Sequence, residues 1–461
     1  MARPAQHRPG NPSGLPAVRG LPVIGNLRDL NTVRLRPFLT QAYLEHGPVF
    51  RVSALGVNLT VLAGTEANVY VSREGHAVLR SREAWIANDR ELGVAESLIS
   101  ADGPRHRAYR KVEGRAYARS HFAANLRPAL RVVAEDLNML SRGDRLPVAA
   151  WCKGVITEQL ARIVVGGTAR PYLEDLIRFV QTALMVNVTT QQPRLVLAHP
   201  AYRRAKARSF RMVGDLIDRH RADPPGQSGR APDLIDDMLA AQAEQPELWT
   251  AEALTNAAMG AFIAGMDTAA NSLAYTLYRA HRHPELLPPL LDEADALFSA
   301  GPPTAEALGR ATYLHHFVME TLRLHPIAPA LNRTLTTEVS FAGHALPAGT
   351  RVIIGTTVPH GLPTLYRNPE RFDPGRFAPG RAEHRQPGAY APFGVGTHVC
   401  AGSGMAEGLI MLNLAAALRT LDMTLDASYR LGEVARPTPS PNRHLTLQVR
   451  GVRHAPVSLL A

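Results

Sequence analysis

The chain has 461 residues and a net charge of +11, from 51 Lys+Arg against 40 Asp+Glu, with 45% hydrophobic residues, the profile of a globular protein with ample core. Its only cysteines, Cys152 and Cys400, exclude a disulfide framework and leave no second thiol near Cys400 for a zinc site, so a reducing, cytoplasmic location is expected. The excess charge is arginine, since Lys111, Lys153 and Lys206 are the only lysines; it invites acidic partners, but no nucleic-acid reading module is present and no nucleic-acid partner is expected.

Residues 1–20 are rich in Pro, Arg and Gly without an apolar stretch, and read as a flexible tail with neither signal peptide nor membrane anchor. The length would allow two or three average domains, but no long linker demands a split in residues 21–461. Residues 34–46 form a short helix stopped by Gly47-Pro48. Residues 49–52 and 57–62 flank Gly56 as a hairpin, and residues 81–100 have weak periodicity and read as a long loop. Pro104 is placed to open a helix in which His106 and Arg110, four apart, share a face.

From 122 to 221 the chain is mostly helical, broken at Gly143-Asp144, Gly166-Gly167 and Pro193, with Cys152 in the core; residues 222–232 are a surface loop. A long helix then runs over residues 251–282 until Pro284. In its middle, Gly265 costs roughly 1 kcal/mol against Ala, and Thr268 can bond back to the carbonyl of Ala264 and open the axis. The next helix carries Glu320 and Arg323 three apart, a cheap pattern that recurs at Glu433 and Arg436 without a helix beneath it. Residues 327–334 become extended, 346–350 and 351–354 suggest a strand pair, and 423 onward alternates in short β-like pieces.

The stretch Phe393-Gly-Val-Gly-Thr-His-Val-Cys400-Ala-Gly402 stands apart. Its glycines let the backbone fold closely around one sulfur, and the apolar run of residues 405–418 behind it reads as a buried helix. A thiol at that helix N-terminus is expected to have a lowered pKa and to serve as nucleophile or metal ligand.

The spacing Phe393-x-x-Gly396-x-His398-x-Cys400-x-Gly402 resembles the haem-binding loop of the cytochromes P450, the haem-thiolate monooxygenases. Four further motifs follow the family order. The resemblance implies a mainly α fold with small β-sheets, one large domain and one haem b whose axial ligand is Cys400. It implies that His106, Arg110 and Arg333 grip the haem propionates, that His398, Phe393, Gly394 and Ala264 line the haem, and that Asp267 and Thr268 relay protons. It further implies a buried triad of Glu320, Arg323 and, from Pro369-Glu-Arg371-Phe372, Arg371.

The implied reaction is O2 activation with two externally supplied electrons to hydroxylate or epoxidise a small apolar substrate, such as a terpenoid or polyketide. With no flavin or iron–sulfur motif in the chain, a ferredoxin or flavodoxin with its reductase is expected to supply the electrons, docking near Arg105, Arg107, Arg110, Lys111 and Arg115 of a soluble, monomeric protein. Alternative readings of the same scaffold are a haem-thiolate isomerase or peroxygenase, or a non-catalytic haem sensor. A thiol hydrolase using Cys400 with His398 is a third.

Overall fold

The structure, a computed structural model, describes residues 14–460 apart from 31, 33 and 229. Most of the expected tail therefore lies outside the described residues. The part that is described is docked: Leu15 is buried, the Arg51 N–H donates to the Pro16 carbonyl at 2.8 Å, and the Arg51 carbonyl accepts from the Val18 N–H at 2.9 Å. The folded domain thus begins before residue 21.

Helices dominate, and the long one, Ala251–Arg282, forms the axis of the core. It packs against Val148–Val164, Thr312–Leu324 and Ser403–Thr420, each with a mostly buried middle. Gly265 permits a close approach: a Cβ there would lie 2.8 Å from Leu160 Cδ1. The apolar core holds a satisfied amide pair. Asn413 Nδ2 donates to Gln159 Oε1 at 2.8 Å and Gln159 Nε2 donates back to Asn413 Oδ1 at 3.0 Å, tying Ser403–Thr420 to Val148–Val164. Cys152 is fully buried in the latter, as its apolar surroundings dictate.

The largest sheet is ordered Val49–Ala54, Val57–Ala63, Arg351–Gly355, Leu331–Leu335, Leu79–Arg80, with only the Val57–Ala63/Arg351–Gly355 pair parallel. The expected hairpin is present, and Leu55 (φ 50°) and Gly56 (φ 77°) supply the two positive φ values that a tight turn matching strand twist requires. Residues 346–350 do not pair with 351–354. Gly349 (φ 79°) turns the chain, His344–Leu346 pairs with Val339–Phe341, and Arg351–Gly355 enters the large sheet. The C-terminal β pieces are Leu421–Leu425, Glu433–Ala435, Pro439–Pro441 and Thr446–Val452.

Residues 81–100 are not simply a loop, because Arg82–Leu92 is a helix ended by Gly93 in the left-handed region. Its inward face carries Asn88 and Asp89 beside Leu92, so burial leaves no apolar periodicity to read. Residues 222–232 likewise contain one helical turn, Pro225–Ser228. Among the described residues no helix is long and apolar enough to cross a membrane.

Candidate active site

The Cys400 loop is built by its own backbone. Gly394 (φ 77°) and Gly396 (φ 75°) occupy the left-handed region, and the Cys400 N–H donates to the Phe393 carbonyl at 3.0 Å. At Gly396 the backbone also passes so close to Val71 that a Cβ would lie 2.7 Å from its carbonyl oxygen. Gly402 caps the helix Ser403–Thr420, which places Cys400 three residues before the helix start. Cys400 is accessible to solvent but ringed by protein, and this enclosure pushes its thiol up, against the pull of the Gly402 N–H and the Arg110 guanidinium. The expectation of a thiol acidified by the helix is therefore reversed. Metal coordination deprotonates such a thiol outright.

The loop is braced from behind by a buried ion cluster. Arg323 Nε and Nη2 donate to the two oxygens of Glu320 at 2.7 and 2.8 Å, with both side chains fully buried. The third ion is Arg376, whose Nε donates to Glu320 Oε1 at 3.1 Å and which is also fully buried. Arg371, expected in that place, is exposed and lends only its carbonyl, which accepts from Arg376 Nη2 at 3.0 Å. The Pro-x-Arg-Phe pattern occurs twice, at Pro369–Phe372 and Pro374–Phe377, and only the second forms the short 3-10 turn that aims its arginine at Glu320. Glu433, in the second Glu-x-x-Arg pattern, has a separate partner, accepting the Tyr275 hydroxyl at 2.8 Å.

His360, which sequence reasoning missed, connects the cluster to the loop. Arg323 Nη1 donates to its carbonyl at 2.6 Å, its Nε2 accepts the Ala391 N–H at 2.9 Å, and the Ala391 carbonyl accepts the Gly394 N–H at 3.2 Å. Burial, then the nearby Arg323 and Arg36, holds the imidazole pKa well below its ordinary value, so His360 is neutral and keeps Nε2 as an acceptor.

A cationic corner adjoins the loop. Arg110 Nη1 donates to the Val399 carbonyl at 2.7 Å. The rings of His106 and His398 lie 4.2 Å apart, and His398 Nε2 meets Asp102 Oδ1 at 3.0 Å. Asp102 in turn accepts from the Ser81 N–H at 3.0 Å. His106 Nδ1 is a buried polar atom without a hydrogen-bond partner, and burial pushes that ring's pKa down to about 4. Arg333, on the strand Leu331–Leu335, donates only to the Asn332 carbonyl at 2.7 Å, and enclosure lowers its pKa to about 10.

On the long helix, Ala264 is exposed amid mostly buried neighbours, so the helix faces an internal space there. Thr268 Oγ1 donates to the Ala264 carbonyl at 2.7 Å, as the sequence predicts. Asp267 is buried and paired with Lys153 Nζ at 2.7 Å and Gln181 Nε2 at 3.0 Å. Tyr117 spans from this helix to the loop, its hydroxyl 3.9 Å from a Cβ built at Gly260 and its own Cβ 3.8 Å from one built at Gly402.

An accessible thiol on a glycine-bent loop, an enclosed corner of arginine and histidine donors in which His398 engages Asp102, and an opened core helix define a haem-thiolate site. The chain belongs to the cytochrome P450 family, whose model matches residues 15–431. It is similar to a Mycobacterium tuberculosis protein named as cytochrome P450 135B1, 27% identical over 428 residues, covering 90% of this chain and 87% of that one. It is 28% identical over 451 residues to the flavonoid 3'-monooxygenase CYP75B3 of Oryza sativa, covering 89% and 84%. Its fold matches the cytochrome P450DA heme domain at a TM-score of 0.82, with 22% identity and coverage of 96% and 98%.

The protein is thus a P450 monooxygenase, an oxidoreductase carrying haem b with Cys400 as the axial thiolate. The residues fit that group. The unpartnered His106 Nδ1 and the Arg333 guanidinium without an acid partner supply donors for an anionic cofactor edge, and the raised Cys400 thiol suits a ligand that ionises only on the metal.

Proposed function

We propose that this enzyme hydroxylates or epoxidises a small apolar substrate of the terpenoid or polyketide kind, using electrons from a ferredoxin or flavodoxin with its reductase. When bound, the haem activates O2, its thiolate donating electron density that favours O–O cleavage, as established for the family. His106, Arg110 and Arg333 would hold the propionates by charge-assisted hydrogen bonds, with His398 fixed against His106 by Asp102. Phe393, Gly394 and Ala264 would line the two faces. Glu320, Arg323 and Arg376 would keep the loop in place through His360.

The observation that carries the monooxygenase reading is the pair Asp267 and Thr268 at the point where the long helix faces the cleft. Asp267 would hand a proton inward when it exchanges Lys153 or Gln181 for water, and Thr268 would pass it on from Oγ1 after leaving the Ala264 carbonyl. A peroxygenase, an isomerase or a sensor would need neither group. The test is product formation from a panel of apolar terpenes and macrolactones with a reconstituted ferredoxin system and O2. Turnover that requires electrons supports the reading, and turnover with peroxide alone at an equal rate contradicts it.

Electrons are expected to arrive at the helix Gly103–Ala116. Arg105, Arg107, Lys111 and Arg115 are exposed on it, whereas Arg110 turns into the Cys400 loop and belongs to the haem corner instead. Such a surface suits an acidic partner steered by charge.

A further inference from the structure

We propose that a basic recess at the outer end of the helix Arg82–Leu92 binds an oxyanion, and that this oxyanion is the charged end of an otherwise apolar substrate. The second part rests on the reading above. The recess, of about 430 Å³, lies between Glu91, the 3-10 turn Arg194–Ala198 and the start of the helix Pro200–Ala222. Arg194, Arg203 and Lys206 line it with Glu91, Leu197 and Tyr202.

The charges do not cancel. Glu91 Oε1 takes both Lys206 Nζ at 2.7 Å and the Tyr202 hydroxyl at 2.8 Å, so the one carboxylate is already engaged. Among the described residues Arg203 has no side-chain hydrogen bond or ion pair, and Arg194 has only a long contact to Asn187 Oδ1 at 3.5 Å. Three cations against one carboxylate leave the lining at +2 (3 − 1). Isolated surface arginines are ordinarily solvated, but two that line one concavity with Leu197 offer planar donors to a carboxylate or phosphate.

Two chain segments lead from the recess toward the haem site. The helix Arg82–Leu92 starts where the Ser81 and Arg82 N–H groups bind Asp102, the partner of His398, and reaches Glu91 after nine residues. At about 1.5 Å per residue that is about 14 Å. The helix Leu173–Asn187, whose Gln181 binds Asp267, leads through residues 188–193 to Arg194. A substrate with its anion in the recess would lay its apolar body along these segments toward Ala264 and Thr268.

The test is titration of the holoprotein with dodecanoic, tetradecanoic and hexadecanoic acids and their methyl esters, read by the haem absorption shift and by calorimetry. At least one acid is expected to bind about tenfold tighter than its ester at low salt, with the preference shrinking as salt rises. Arg194→Ala/Arg203→Ala should abolish the preference and leave ester affinity within about twofold. Should that variant fail to fold, Arg203→Glu alone should turn the preference toward the ester. Equal affinity for every acid and its ester, or a preference that survives both variants, overturns the proposal. Inorganic phosphate that binds while no acid outbinds its ester would make the recess a site for free anions and overturn the substrate assignment. The titration needs neither electrons nor O2, so its failure is distinct from a failure of the monooxygenase reading, which product formation tests.

Discussion

Arg323 and His360 hold each other through two hydrogen bonds, from Arg323 Nη1 to the His360 carbonyl at 2.6 Å and from His360 Nδ1 to the Arg323 carbonyl at 3.2 Å. The remaining imidazole nitrogen accepts the Ala391 N–H. One neutral ring thus transmits the position of the buried ion cluster to the loop that ends in Cys400. His360→Leu would strand the Ala391 N–H and the Arg323 carbonyl, at about 2–4 kcal/mol in total. Denaturant unfolding of the holoprotein should show that loss, together with faster haem release.

The same ring gives a pH signature. Its native pKa lies well below 6.5, so an unfolded chain binds a proton there that the native state does not. Its contribution to stability is therefore present above about pH 6.5 and is progressively lost as pH falls below that value. Stability measured against pH should decline less steeply on the acid side in His360→Leu than in the parent protein.

Arg376 and Arg371 make opposite predictions. Arg376→Leu leaves Glu320 with one of its two cations in a fully buried site and should cost about 3–5 kcal/mol and most of the bound haem. Arg371→Leu alters an exposed side chain whose carbonyl persists, and should change stability by no more than about 0.5 kcal/mol. Thermal unfolding and haem content of the two variants decide between them.

Thr268→Ala removes a hydroxyl that bonds only within its own helix, so folding should be retained while the product rate falls roughly 10²-fold. Asp267→Asn should lower the rate by a similar or larger factor with substrate binding preserved. A Thr268→Ala enzyme with unchanged electron-dependent turnover would remove that residue from the proton path.

Reduction by an acidic ferredoxin should slow as salt rises, because the exposed cations on Gly103–Ala116 act at long range. Lys111→Glu/Arg107→Glu should slow it several-fold at low salt and flatten the salt dependence. Stopped-flow reduction in the presence of CO measures both.

What the sequence made legible is local chemistry with a strong backbone or burial signature. Gly394 and Gly396 announce the Cys400 loop, Pro284 ends the long helix where the structure ends it, and Thr268 bonds back to Ala264 as its spacing allows. The helix Arg82–Leu92 was hidden because its buried face is polar. Arg376 shares the Pro-x-Arg-Phe pattern with Arg371 five residues earlier, and which of the two arginines meets Glu320 is decided by the 3-10 turn that forms only on folding. His360, Lys153 and Gln181 gave no signal, since each acts on a partner more than thirty residues away and only tertiary contact pairs them. Helix position is visible in the sequence, while the burial that raises the Cys400 thiol is not.

The central claim is that Cys400 ligates the haem iron, and the reduced-plus-CO absorption spectrum of the parent protein and of Cys400→Ser tests it most directly. The account predicts the band of a thiolate-ligated haem in the parent and its loss in Cys400→Ser. The same spectrum from both proteins, or a colourless parent expressed with ample porphyrin supply, would contradict it.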